Sequence, residues 1–391
     1  MRKIGGLRLS RRRIAKKVEE IQPSGIRKFF DLVIGRDDII SLGVGEPDFS
    51  VPWRIREEMI YSLEKGYTSY TSNYGLPELR EGIAEYYTKF GVGVEPEQVI
   101  VTSGVSEGID LALRTLVDLG DAVLIPEPCY VSYKPLTHLC GGEAIPIPTN
   151  PDFKLNYERI RDCVHEKAKV LLLNYPTNPT GVSYSRKELE EIADAVIEFD
   201  LIVISDEIYA ELTYKGRHIS IASLSGMEDR VVILNGFSKA FAMTGFRVGY
   251  AIAPYDILQG MLKVHQYCML CAPITGQIGA IEALKSIDEV EKMRAEYLRR
   301  RNYFIKRLKE VFEVNMPDGT FYAFPNITLT GMSSEEFAER LLMEKGVAVV
   351  PGNAFGECGE GYIRAAFAVK FDKLKEAAER ITEFAEKYGK G

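Results

Sequence analysis

The chain is 391 residues long, 46% hydrophobic and 27% charged, with a net charge of -7. No apolar run approaches the ~20 residues needed to cross a bilayer, and the acidic balance argues against a nucleic-acid groove, which shows as a basic face. The length exceeds what one hydrophobic core usually supports, so two domains, or one large domain with a lobe, are expected.

The first stretch runs against the overall charge: Arg2, Lys3, Arg8, Arg11, Arg12, Arg13, Lys16 and Lys17 precede Val18, with no apolar region like that of a signal peptide behind them. Residues 1–24 read as an arm, solvated or crossing to another subunit. Six cysteines without a secretion signal lead us to expect reduced thiols in a cytoplasmic protein. Ser24 is placed to cap a helix from Gly25 toward Val33, with Ile26, Phe29, Phe30 and Val33 as its apolar stripe. Ile39-Ile40-Ser41-Leu42 is strand-like, and Gly43-Val44-Gly45-Glu46-Pro47-Asp48 ends it with residues that let a ligand approach the backbone or simply make a turn.

Two helices follow, about Pro52 to Lys65 and Pro77 to Phe90, each with proline in its first turn. Between them lies Tyr67-Thr68-Ser69-Tyr70-Thr71-Ser72-Asn73-Tyr74-Gly75, whose phenols and hydroxyls can serve a phosphate or only packing. From residue 99 short apolar runs alternate with helical stretches: 99–101, 122–125, 144–145, 170–173, 201–204 and 231–234, with a helix such as Arg186 to Glu198 between them. Continuous apolar strands alternating with helices predict a mainly parallel sheet covered on both faces, with ligands beyond the carboxyl ends of the strands.

After Pro254 long helices and isolated strands predict a second, α+β lobe. Tyr297, Leu298, Phe304, Ile305, Leu308, Val311 and Phe312 mark a core-facing stripe, and Ser333 with Glu336 reads as a capping box. The lobe's strands are expected at Thr320 to Phe324, Val347 to Val350 and Tyr362 to Ala366, closed by a helix from Phe371 to Tyr388. His265, Cys268 and Cys271 are metal ligands by residue type. The first two share a helical face, the third falls round the cylinder, and no second Cys/His pair stands nearby to complete a tetrahedral site, so no metal is expected.

The chemistry gathers at four strand ends. Thr102-Ser103-Gly104-Val105-Ser106-Glu107-Gly108 leaves a strand and opens a helix, so free N–H groups and the positive helix end can hold a phosphate. Asn178 sits between Pro176 and Pro179, and Asp206 and Tyr209 follow an apolar strand, where a buried carboxylate calls for a cationic partner. Lys239 follows Val231-Val232-Ile233-Leu234-Asn235-Gly236-Phe237-Ser238, with Arg247 eight residues on. Burial and a nearby cation, for which Arg247 is a candidate, can lower a lysine enough to form a Schiff base. An aldehyde for Lys239, a ring nitrogen for Asp206, a phenolate and a phosphate together describe pyridoxal 5'-phosphate (PLP).

Through Asn178-Pro179-Thr180-Gly181, Asp206-Glu207-Ile208-Tyr209 and the segment Ser238-Lys239 to Arg247, the chain resembles the class I aminotransferases of PLP fold type I, particularly archaeal aromatic and aspartate aminotransferases. The resemblance implies an α/β fold: a large domain, 51–285, with a mainly parallel seven-stranded sheet, and a smaller α+β domain from 25–50 plus 286–391. It implies transamination between an aromatic or acidic L-amino acid and a 2-oxo acid such as 2-oxoglutarate, in a homodimer with shared active sites. Other PLP chemistry, such as C–S beta-elimination, or a non-catalytic PLP-sensing regulator are the alternatives.

By the same resemblance Lys239 would bind the cofactor and move the proton, Asp206 would hold the ring nitrogen, and Asn178 and Tyr209 the ring oxygen. Tyr130 would stack on the ring, and Gly104, Val105, Ser106, Ser238 and Arg247 would hold the phosphate, joined by Tyr70 of a neighbouring subunit. Arg364 would clamp the substrate carboxylate, with Gly43 and Asn178 beside it. Two positions depart from the pattern. Ser106 stands where some aspartate-preferring relatives have lysine, and Thr320-Phe321-Tyr322 stands for an Ala-Phe-Tyr run, so Tyr322 becomes a candidate lining for aromatic side chains.

Overall fold

The computed structural model describes residues 13–23, 36 and 38–389. Ser24 and the helix expected after it lie outside the described residues. The strands in chain order are β1 (Ile40–Ser41), β2 (Val99–Thr102), β3 (Ala122–Glu127), β4 (Glu143–Pro148), β5 (Ala168–Asn174), β6 (Ile202–Asp206), β7 (Val231–Gly236), β8 (Gly249–Ile252), β9 (Tyr322–Ala323), β10 (Val347–Ala348), β11 (Val350–Pro351) and β12 (Ile363–Ala366).

β2 to β8 form one seven-stranded sheet in the order β2-β8-β7-β6-β5-β3-β4. It is parallel except at β8, which runs antiparallel to both its neighbours. The apolar runs predicted six of these strands. The seventh, β8, is a four-residue return strand opening on glycine. Gly249 pairs with Gly236, and a Cβ on Gly249 would come within 2.7 Å of the backbone at Gly104 and Val105. The two glycines therefore let the end of β7 press against the opening of the helix Gly104–Leu116.

Buried aliphatic residues cover both faces of the sheet: Leu171, Leu173, Val203 and Ile233 on one side, Val170, Leu172, Ile204, Val232 and Leu234 on the other. This period-2 split of a continuous apolar run is what two covered faces require. Each such side chain contributes roughly 1.5–3 kcal/mol of burial.

A further core gathers Ile40 and Leu42 with the helices Ile287–Leu308, Ser334–Lys345 and Phe371–Tyr388. Here the expected strands are shorter. Thr320 takes a left-handed conformation, φ 65°, which cannot continue a strand, so β9 keeps only Tyr322–Ala323. The run 347–350 divides between β10, parallel to β1, and β11, antiparallel to β12.

The helix expected from Pro77 to Phe90 is α-helical to Tyr87, then tightens to a 3₁₀ turn stopped by Gly91 at φ 80°. Only half of the expected capping box forms: Ser333 Oγ accepts from Glu336 N–H, while the Glu336 carboxylate lies 3.5 Å from Arg340. The reciprocal box occurs instead at Ser185 and Glu188. The described part of the arm carries a one-turn helix, Lys16–Glu19, tethered where Lys17 donates to Leu139 C=O at 2.7 Å. Among the described residues no helix is long and apolar enough to cross a membrane.

Candidate active site

The loops after β2, β5, β6 and β7 meet residues of the 43–48 loop, β9 and β12 around a cleft of about 820 Å³. Lys239, Asp206, Tyr209, Asn178, Val105, Ser106, Tyr130, Ser238, Arg247 and Arg364 all line it. Gly43 and Gly104 stand directly behind the lining. Gly43 C=O accepts from Arg364 at 2.7 Å, and a Cβ on Gly104, φ 76°, would fall 2.6 Å from the Arg247 guanidinium. That glycine lets the guanidinium lie across the start of the helix, so one cation and a set of free N–H groups face the same space. Tyr70 is the exception: it is 83% exposed and away from the cleft of its own chain.

Asp206 ends β6 and is only 4% exposed. The cationic partner expected from the sequence is absent among the described residues. Its carboxylate instead accepts from Tyr133 OH at 2.7 Å and from Ile208 N–H at 3.2 Å. Burial raises it to about 6, opposed chiefly by the Tyr133 hydrogen bond. Lys239 donates to Gly45 C=O at 2.5 Å. Burial lowers it to about 8, with Arg364 the foremost charge acting in that direction. Arg247, the candidate from the sequence, contributes less, because Arg364 arrives from the second core and its proximity is invisible in chain order.

Arg364 is 2% exposed and meets no carboxylate among the described residues. It donates to Asn178 Oδ1 at 2.9 Å and to Gly43 C=O, lies over the Tyr322 ring at 4.3 Å, and its Nε has no partner. Tyr322 is itself buried and shares a 2.9 Å hydrogen bond with Tyr209 OH. Its ring thus forms a floor under Arg364 while its hydroxyl joins the polar row at Tyr209. The site can receive an anion at each end, one at Arg364 and one at Arg247, with an amine and a cation-seeking carboxylate between them.

Sequence reasoning passed over Tyr133, Asn174, Glu46 and Thr244. Tyr133 falls three residues after Tyr130, and the two rings meet edge to face at 5.5 Å. Asn174 closes the apolar run of β5. Its amide donates to Asp206 C=O at 2.8 Å and its oxygen accepts from Asn178 N–H at 2.9 Å, which fixes the Asn178 loop to the Asp206 strand. Of the residues weighed as metal ligands, His265 instead pairs with Glu107 at 2.6 Å, and Glu107 also accepts from Ser103 N–H, bracing the helix opening.

The aminotransferase class I and II family model matches residues 37–381. The chain belongs to this family. It is 50% identical to a Bacillus subtilis protein named as an aminotransferase, across 95% of this chain and 97% of that one. It is 45% identical to an aspartate aminotransferase of Pyrococcus abyssi, across 94% and 97%. A solved aromatic aminotransferase from Pyrococcus horikoshii superposes with a TM-score of 0.88 at 44% identity, covering 93% and 99%.

The protein is a PLP-dependent aminotransferase of the α/β fold expected for it. The cleft of this aminotransferase fits the cofactor on its own terms. Asp206 is buried without an ion pair, Arg247 faces the helix opening, and Lys239 lines the same cleft, close enough to feel the charge of both. When bound, PLP supplies a reactive aldehyde and an electron-withdrawing ring.

Proposed function

We propose that this cleft moves the amino group of an aromatic or acidic L-amino acid to a 2-oxo acid, with 2-oxoglutarate as acceptor. The observation that carries the reading is Arg364: a buried guanidinium held in place by an amide and a carbonyl, with no carboxylate of its own, suits two parallel hydrogen bonds to an amino-acid carboxylate. Gly43 and Asn178 hold it in that pose. Lys239, lowered to about 8, is about one-tenth neutral at pH 7, and its Nζ would carry the proton between the substrate alpha carbon and the cofactor.

Asp206 would receive the protonated ring nitrogen, a charge that offsets the burial of its carboxylate. Asn178 and Tyr209 donate to the ring oxygen, and burial holds the Tyr209 phenol well above its usual range, so it stays a donor. Tyr130 covers the ring. Gly104, Val105, Ser106, Ser238 and Arg247 hold the phosphate. The donor range rests on relatives named for aspartate and for aromatic amino acids at similar identity.

The same reading makes the chain a cytoplasmic homodimer, with 51–285 as the large domain and 25–50 plus 286–391 as the small one. Tyr70 would complete the phosphate site of the second copy. Support comes from large apolar side chains left exposed in the stretch before it, Trp53, Tyr61 and Tyr67, and at Tyr267 and Met269, next to Leu270, whose C=O accepts from Asn73 of the Tyr70 loop. A donor panel of aspartate, glutamate, phenylalanine, tyrosine, alanine and kynurenine with 2-oxoglutarate tests the assignment. Without acceptor, the enzyme should form about one equivalent of 2-oxo acid per site and stop. Continued turnover without acceptor would indicate elimination and overturn it.

A further inference from the structure

Once cofactor and substrate contacts are assigned, Glu46 and Thr244 are among the polar residues of the cleft lining left without a role. They touch each other, Thr244 Oγ1 donating to Glu46 Oε1 across 198 positions of sequence. Glu46 belongs to the 43–48 loop, and Thr244 to the turn between Lys239 and Arg247. The contact therefore ties the loop to the segment that carries the reactive lysine.

What the loop does is visible in its backbone. Gly45 C=O accepts from Lys239 Nζ at 2.5 Å, and Gly43 C=O accepts from Arg364 at 2.7 Å. Two carbonyls, two residues apart, thus face the two cations that the reaction uses. The loop has little freedom at its ends. A Cβ on Gly45 would fall 2.6 Å from Tyr322 OH, and Asp48 is held by Arg300 with both oxygens at 2.8 Å. Between those anchors, the Glu46–Thr244 contact is the side-chain tie to the Lys239 segment.

Resting on the aminotransferase reading above, we propose that Glu46 and Thr244 are positioning residues for Lys239: their contact holds the Gly45 carbonyl and the Glu46 carboxylate beside the lysine amine. Thr244 acts by geometry and Glu46 by geometry and charge. The charged groups acting on Lys239 come from four elements. Arg364 on β12 and Arg247 past the lysine lower its proton affinity, while Glu46 on the loop and Asp206 on β6 raise it, and burial lowers it most. The phenols of Tyr209 and Tyr322 complete the surroundings, both kept neutral by burial. Of the two acids, Glu46 is the larger influence, and Thr244 holds it in place.

Three variants separate the parts. Glu46→Gln keeps an acceptor for Thr244 and removes the charge, Thr244→Val removes the hydroxyl at constant shape, and Thr244→Ser restores it. The first readout is the pH dependence with which Lys239 of the cofactor-free full-length protein reacts with an amine-directed reagent, followed by mass spectrometry of its peptide. The midpoint should fall by about one pH unit in Glu46→Gln and move the same way in Thr244→Val, while Thr244→Ser keeps the wild-type value.

In the holoenzyme, kcat should fall several-fold in the first two variants, because a less firmly placed amine of lower proton affinity is a weaker base, with KM changed less than about twofold. Unchanged labelling midpoints and unchanged kcat in both would overturn the proposal. So would a lowered unfolding temperature in Thr244→Val with the wild-type pH profile, which would make the contact purely structural. If the wild-type protein itself neither takes up PLP nor transaminates, the functional reading fails instead, and the labelling midpoints still judge the positioning role.

Discussion

Asp206 and Glu207 are consecutive carboxylates at the end of one strand, and they live under opposite conditions. Glu207 turns away from the cleft and is saturated: Ser205, Ser220 and Tyr87 donate to it at 3.0, 2.6 and 3.4 Å, and His218 Nε2 pairs with it at 3.0 Å. Asp206 faces the cleft with one phenol and one backbone N–H. The arginines repeat the contrast. Arg300 holds both oxygens of Asp48 and one of Glu296 at 2.8 Å, whereas Arg364, equally buried, has an amide, a carbonyl and an unpartnered Nε. Groups that serve the fold are satisfied within the chain, because an unpaired buried charge is costly. Groups left wanting a partner mark where cofactor and substrate belong.

The contrast breaks most severely at Lys239, the one group whose proposed partner is covalent. Lys239→Ala should lower transamination by at least ~10⁴-fold and remove the absorbance of lysine-bound cofactor, while the unfolding midpoint of the cofactor-free protein stays at or above wild type. Turnover near the wild-type rate would refute the assignment of the amine.

The two arginines give the next largest effects, in different observables. Arg364→Met should cost about 10²–10³ in kcat/KM, from the loss of two charge-assisted hydrogen bonds to the substrate, and leave the stability of the cofactor-free protein unchanged or higher. Arg300→Met should do the reverse. Asp48 loses its bidentate partner, stability falls by about 3 kcal/mol, and KM for the amino donor moves far less. Denaturant unfolding beside steady-state kinetics reads both. A loss of stability at Arg364 equal to that at Arg300 would erase the distinction.

How much of this was legible follows from where the information lies. Strands buried on both faces must be continuously apolar, so β2 to β7 stood out in sequence, and all of them but β4 hand their next residues to the cleft. Lys239, Asp206 and Asn178 were readable for that reason, Arg247 from its place eight residues past the lysine, and Arg364 through the resemblance. β8 was not, since it is four residues long and opens on a glycine kept for close backbone approach. Tyr133 and the Glu46–Thr244 contact also stayed hidden. Their meaning depends on pairings of 73 and 198 positions that no local pattern encodes. Tyr70 was named through resemblance alone, and it does not line the cleft of its own chain.

The smallest of these effects tests the two carboxylates directly and has a sign that depends on pH. Burial holds Asp206 in the folded protein at about 6, above the ordinary carboxylate value of ~3.9, so the folded state keeps its proton longer than the unfolded state does. Its cost to the cofactor-free protein is therefore absent below pH ~4, grows as pH rises toward 6, and levels off at up to about 3 kcal/mol by pH 7. Asp206→Asn, which keeps an acceptor for Tyr133, should be more stable than wild type at pH 7 by up to that amount, equal to it near pH 4, and poor at retaining PLP. Glu207→Gln should lose about 1–3 kcal/mol, because its new NH₂ group faces hydroxyls already committed as donors. Measured as unfolding free energy against pH, opposite signs for these neighbours would show that the strand end holds one carboxylate for the fold and one for the cofactor. A destabilised Asp206→Asn at pH 7 would mean that Tyr133 and Ile208 already satisfy Asp206, and the argument for a cationic ring at that position would lose its support.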